Sequence, residues 1–73
     1  MADKYLDCTQ LRCPEPIVKL SKAFKQMASG QTLAVEASDP AFESDVQAWV
    51  KIMGYELLEF TEGPVQKAVI RKP

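Results

Sequence analysis

Apolar residues recur along this chain with two different periods, and the switches between them divide it into six elements. From Lys4 to Cys8 the residues alternate, with Leu6 and Cys8 on one side and Tyr5 and Asp7 on the other, as in a strand. From Pro14 to Ser29 the apolar positions Ile17, Leu20, Phe24 and Met27 form one helical stripe, and Gly30 is placed to end the helix as its C′ residue. Lys19, Lys22, Lys25 and Gln26 fall largely off that stripe and are expected in solvent. Thr32 to Ala37 reads as a second strand with Leu33, Val35 and Ala37 on one face. Asp39 and Pro40 then open a second helix, as a cap and a proline preset for the first helical position, and its stripe is Phe42, Val46, Trp49, Val50 and Met53. Asp39, Glu43 and Asp45 place negative charge near its N-terminal end, which suits the helix dipole, and Gly54 ends it. Tyr55 to Thr61 and Val65 to Lys72 flank a Glu62-Gly63-Pro64 turn and read as a hairpin.

The order strand, helix, strand, helix, strand, strand predicts an α/β (α+β) two-layer sandwich. Right-handed crossovers in a consistent direction place both helices on one face of a four-stranded mixed sheet. The junction between the first strand and the first helix then lies at an edge of the layers. A chain of 73 residues has room for one core, so residues 1–73 are expected to form a single domain. Hydrophobic residues at 47% and charged residues at 26% argue against disorder.

A net charge of -1 gives no overall electrostatic case for direct nucleic-acid binding. No apolar run approaches a membrane span and the first five residues lack the apolar segment of a secretory signal, so a cytoplasmic protein is expected. Two cysteines are too few for a disulfide scaffold, and the absence of histidine removes Cys-His nucleophile pairs and every zinc site that needs imidazole.

The candidate chemistry sits at Cys13, followed by Pro14, Glu15 and Pro16. Cys13 occupies the position of a helix N-cap, where Ser, Thr, Asp or Asn is the rule, and broken local rules tend to mark functional sites. A helix N-terminus lowers a cysteine's pKa, as do cations, and Arg12, Lys19 and Lys22 are the candidates, while Glu15 works in the opposite direction. Pro14 and Pro16 lack amide hydrogens, so of the four amides that normally face a helix N-terminus few remain to cradle a thiolate. The prolines therefore serve presentation more than activation, and a modestly depressed pKa is expected. A rigid, outward, mildly activated sulfur without a general base suits transfer between thiols, which needs only nucleophile and leaving-group sulfurs.

Leu6-Asp7, Leu11, the Cys13-Pro14-Glu15-Pro16 motif, Asp39-Pro40, Gly54 and the closing Ile70-Arg71-Lys72 together resemble the TusA/SirA-like sulfur carrier family over essentially the whole chain. Gln10 departs from the glycine usual there. The resemblance implies a βαβαββ domain whose motif cysteine, here Cys13, carries sulfane sulfur as a persulfide, making the chain a sulfurtransferase in the limited sense of a carrier. No cofactor is expected, and no metal, since the two cysteines leave at least two positions of a tetrahedral site without obvious ligands. The resemblance implies a donor such as a cysteine desulfurase or rhodanese-like protein, an acceptor sulfurtransferase, and service in tRNA thiolation, sulfur oxidation or molybdenum-cofactor supply. A monomer is expected.

Other readings stand beside this one. Cys8 shares a strand face with Leu6 and is expected in the core, since free cysteine packs as a small hydrophobe. The alternative makes it the resolving partner of Cys13 in a thiol redox switch, which requires the two side chains to converge. Lys19, Lys22, Arg71 and Lys72 are either solvated surface or a docking patch for acidic partners. A regulatory interaction module, with the cysteine incidental, is the remaining class.

Overall fold

A computed structural model describes residues 2–10 and 15–73, and its elements follow the expected order: β1 (Lys4–Cys8), α1 (Glu15–Lys25), β2 (Thr32–Ala37), α2 (Phe42–Met53), β3 (Glu56–Thr61) and β4 (Gln66–Arg71). The sheet is mixed, in the order β1-β2-β4-β3. β1 runs parallel to β2, while β4 is antiparallel to both β2 and β3. The terminal hairpin thus folds back so that β4 inserts beside β2 and leaves β3 at the edge.

Both helices pack on one face of this sheet. Leu20, Phe24 and Met27 from α1 and the turn after it share one buried cluster with Phe42, Val46 and Val50 of α2. Leu33, Val35, Ala37, Ala68, Ile70 and Cys8 supply the sheet side of that cluster. Phe24, Trp49 and Tyr55 form an aromatic corner with centroids 5.0–5.5 Å apart, joining the two helices to the start of β3. The opposite face of the sheet is open. Ala34 is nonetheless buried there, because its register partners Tyr5 and Val69 flank it on neighbouring strands.

Four local expectations change. α1 ends at Lys25, short of Ser29, where Gln26 and Met27 turn their amides to the carbonyls of Ala23 and Phe24 in tighter i→i−3 bonds. Gly30 is consequently not its C′ residue; it adopts φ +90° in the turn before β2 and donates its amide to the Lys72 carbonyl. α2 begins at Phe42, one short turn later than the Asp39-Pro40 pair suggests, although the Asp39 carboxylate still accepts the Ala41 amide at 2.9 Å. Met53, the last residue of α2, lies outside the core at 46% exposed. Gly54 does end α2, at φ +74°.

Candidate functional site

Two parallel strands, β1 and β2, each feed a helix, so both helix N-termini lie at the carboxyl end of these strands. That end of an α/β sheet is the usual place for function, because loops and helix dipoles converge there. The connection from β1 to α1 is the one that contains Cys13.

The structure holds this connection at both ends. The last rung of the parallel pairing is Cys8 opposite Ala37, and the next residues, Thr9 and Ser38, continue it with a side chain: the Ser38 hydroxyl donates to the Thr9 carbonyl. Asp7 Oδ1 accepts both the Thr9 amide at 3.0 Å and the Thr9 hydroxyl at 2.7 Å. These two bonds, the hydroxyl first, hold the Asp7 carboxyl below the usual carboxylate range. On the far side Glu15 is exposed, whereas Pro16 is among the fully buried side chains. The second proline of the motif is thus a fully buried residue in the first turn of α1.

Cys8 is 1% exposed and belongs to the same buried cluster as Leu20 and Val35. Burial pushes its thiol pKa up, the Asp7 charge adds to this, and the Lys19 ammonium opposes it. The expectation of an inward Cys8 agrees with this placement. Leu6, Asp7, Gln10 and Lys19 line a shallow open cleft of about 270 Å³ at the mouth of the connection. Gln10, at the position where the resemblance leads one to expect glycine, forms part of its wall.

Arg12, Cys13 and Pro14, like Leu11, lie outside the described residues. Lys19 and Lys22 are exposed on α1, and among the described residues the one ion pair joins Arg71 to Glu56 at 2.7 Å, elsewhere on the surface. Arg71 and Lys72 are not brought near Lys19. β4 runs back along β2, so Arg71 pairs with Thr32 at the opposite end of the sheet from Ala37. Lys72 turns under α1, where Nζ donates to the carbonyls of Phe24 at 2.8 Å and Met27 at 2.9 Å. Sequence reasoning missed Thr9 and Ser38 altogether. The signal was faint: hydroxyl residues immediately after two predicted strands, with an aspartate two residues before the first of them. Among the described residues no group of three Cys, Asp or Glu side chains is arranged to hold a metal, and no helix is long and apolar enough to cross a membrane.

Comparison with known proteins yields likenesses over nearly the whole chain. The family described as Sulfurtransferase TusA matches residues 4–72. A protein of Bacillus subtilis (strain 168) named "Putative sulfur carrier protein YrkI" is 46% identical over 72 residues, covering 97% of this chain and 96% of its own. A protein of Archaeoglobus fulgidus named "Putative sulfur carrier protein" is 44% identical over 57 residues, covering 78% of this chain and 74% of its own. Among solved structures, the crystal structure of a SirA-like protein from Desulfitobacterium hafniense superposes with a TM-score of 0.81 over 93% of this chain and 95% of that one. At 22% identity that last likeness is one of fold.

Proposed function

The chain belongs to the TusA sulfurtransferase family, and on that premise we propose that it is a sulfur carrier that holds sulfane sulfur as a persulfide on Cys13. The observation that carries this reading is the fate of the other cysteine. Of the two cysteines in the sequence, Cys8 is 1% exposed, and its thiol is pushed toward the protonated form. A buried thiol is a poor nucleophile, so sulfur chemistry with partner proteins falls to Cys13. The same burial draws support away from a Cys8–Cys13 thiol switch.

Cys13 thiolate attacks the outer sulfur of a donor persulfide. A Cys13 Sγ–S bond forms, the donor S–S bond breaks, and the donor cysteine leaves as a thiolate. An acceptor thiolate then attacks the outer sulfur held on Cys13, which departs as a thiolate in turn. No external oxidant or reductant enters, since the sulfane sulfur keeps its oxidation level throughout. The step needs no general base, in keeping with a chain that has no histidine.

The donor in this reading is a cysteine desulfurase or a rhodanese-like protein, the acceptor a second sulfurtransferase, and the setting cytoplasmic. Arg12, Pro14, Glu15 and Pro16 frame the sulfur. Lys19 and Lys22, exposed on the helix that follows Cys13, form the docking surface for acidic partners. Arg71 and Lys72 lie at the other end of the sheet and are left out of that surface. The test is a two-step transfer: the chain is charged with polysulfide, desalted, and mixed with a reduced thiol protein. Sulfane sulfur is expected to pass to the acceptor from the parent chain and not from Cys13→Ser. Equal delivery by Cys13→Ser would remove the reading.

A further inference from the structure

The face of the sheet that carries no helix presents an apolar row across all four strands. Tyr5 stands beside Ala34, Ala34 beside Val69, and Val69 beside Glu59, next to which a register shift leaves Leu58. Tyr5 is 60% exposed and Leu58 49%, so both ends of the row meet solvent. On its β3 side the residues Ala34, Val69, Leu58 and Glu59 line a cleft of about 320 Å³. Toward the carboxyl end of β1 runs a charged row, with Asp7, Glu36, Lys67 and Thr61 side by side in register. From this pattern we propose that a second copy of the chain covers the open face, related to the first by a two-fold axis that runs along the strands between β2 and β4.

Two aligned sheets pack about 10 Å apart with their side chains interdigitating. A two-fold axis requires the same patch on both copies to be complementary to itself. An axis along the strands exchanges β1 with β3 and β2 with β4. Glu36 of each copy then faces Lys67 of the other, Asp7 faces the uncharged Thr61, and Ala34 faces Val69. Tyr5 falls opposite Leu58 and Glu59, so each copy's exposed ring enters the other's cleft and brings its hydroxyl to a carboxylate. An axis across the strands sets Lys67 against Arg71 and Asp7 against Asp3 instead, like charge on like, which disfavours that orientation. The row at the far end of the face is satisfied within the chain: the Asp3 carboxylate accepts the Thr32 amide at 2.9 Å, and Arg71 pairs with Glu56. Four strands of five or six residues span roughly 19 × 20 Å, which puts the buried area at or below the low end of specific interfaces. The chain is therefore expected to be monomeric when dilute and dimeric when concentrated.

The test is sedimentation equilibrium of the full chain from about 10 µM to about 1 mM, with reductant present so that no disulfide joins the copies. The weight-average mass is expected to climb toward twice the monomer's, with a dissociation constant on the order of 100 µM. Tyr5→Ala is expected to weaken association at least about tenfold, as loss of a central interface aromatic does. Lys67→Glu and Glu36→Lys are each expected to weaken self-association by a similar factor. An equimolar mixture of those two variants is expected to associate at least as well as the parent, because every acid then faces a base across the axis. Circular dichroism checks that each variant is folded, and Tyr5 and Lys67 are both exposed, so their replacement leaves the core intact. A parent that stays monomeric over the whole range overturns the proposal. So does a dimer that Tyr5→Ala leaves at parent strength, or a mixture that associates no better than its components.

Discussion

Replacing Lys72 with methionine removes an ammonium that ties the last strand to the end of α1 while keeping an apolar stem of similar length. Lys72 Nζ donates to the carbonyls of Phe24 and Met27 at 2.8 and 2.9 Å, both part-buried. The Phe24 carbonyl also accepts the Met27 amide at 3.1 Å, so the ammonium is a second donor there, at the end of a helix where carbonyls run out of i→i−4 partners. A hydrogen bond to a charged group contributes about 1.5–3 kcal/mol, and a cation at a helix C-terminus about 0.3–1 kcal/mol. The two effects overlap here, because the carbonyls are themselves the negative end of the dipole, and water reaches them partly in the variant. A loss of about 2 kcal/mol is therefore expected, equivalent to a fall in Tm of roughly 8–16 °C for a domain of this size. Thermal and urea unfolding followed by circular dichroism measure it. Arg71→Met is the control: its ion pair with Glu56 joins side chains 44% and 48% exposed, and such a pair is worth about 0–1 kcal/mol. Sulfur uptake below the melting range is expected unchanged in Lys72→Met, since the nearer of its two carbonyl partners, Phe24, lies close to the far end of α1 from its start at Glu15, about 14 Å along its axis. A Lys72→Met chain as stable as the parent, or one that keeps its stability but loses transfer, refutes this account of Lys72.

Raising the pH should expose Cys8. Its folded pKa lies above the ordinary thiol value, so the unfolded chain loses this proton first, and stability that is constant below about pH 8.5 falls above it by up to roughly 1.4 kcal/mol per pH unit. Cys8→Ala is expected to lack this alkaline component; superimposable pH–stability slopes for the two chains contradict it. Gly54→Ala is expected to cost about 1–2 kcal/mol, because φ is +74° while a Cβ there meets nothing within 4 Å, leaving backbone strain as the whole effect; a neutral result in urea unfolding argues against that strain. Reversing Lys19 and Lys22 to glutamate is expected to slow sulfur transfer from a cysteine desulfurase and flatten its dependence on salt, with stability unchanged. Stopped transfer assays at two ionic strengths check this, and an unaltered rate removes the two lysines from the docking surface.

Most of the six elements, and with them the two-layer architecture, were legible because their apolar residues keep a clear period. β1 and β2 have the residues that alternation predicts, and Leu20, Phe24, Val46 and Val50 are buried as their stripes require. β3 was harder to read. A register shift sets both Leu58 and Glu59 against Val69, so Leu57 and Phe60, three residues apart, both pack on the core. No strict two-residue alternation contains that arrangement. The end of α1 was misjudged for a related reason: Lys72, far away in sequence, captures its carbonyls and lets the chain turn early. Long-range capping leaves no mark in a local window. At the candidate site, the motif around Cys13 stood out by breaking a local rule, whereas Thr9 and Ser38 did not. Threonine and serine are ordinary after strands, and only the parallel pairing of β1 with β2 brings these two together. The burial of Pro16 was likewise hidden, since a proline in a motif reads as conformational and its packing depends on tertiary neighbours.

The central claim is that one sulfur atom rides on one cysteine, and intact-mass spectrometry with peptide mapping tests it most directly. After incubation with a cysteine desulfurase and cysteine, or with polysulfide, the parent chain and Cys8→Ala are expected to gain about 32 Da per sulfur on the peptide that contains Cys13, lost again on reduction, as for a reactive thiol. Cys13→Ser is expected to gain nothing. Sulfur found on Cys8, or retained by Cys13→Ser at the parent's level, contradicts the account.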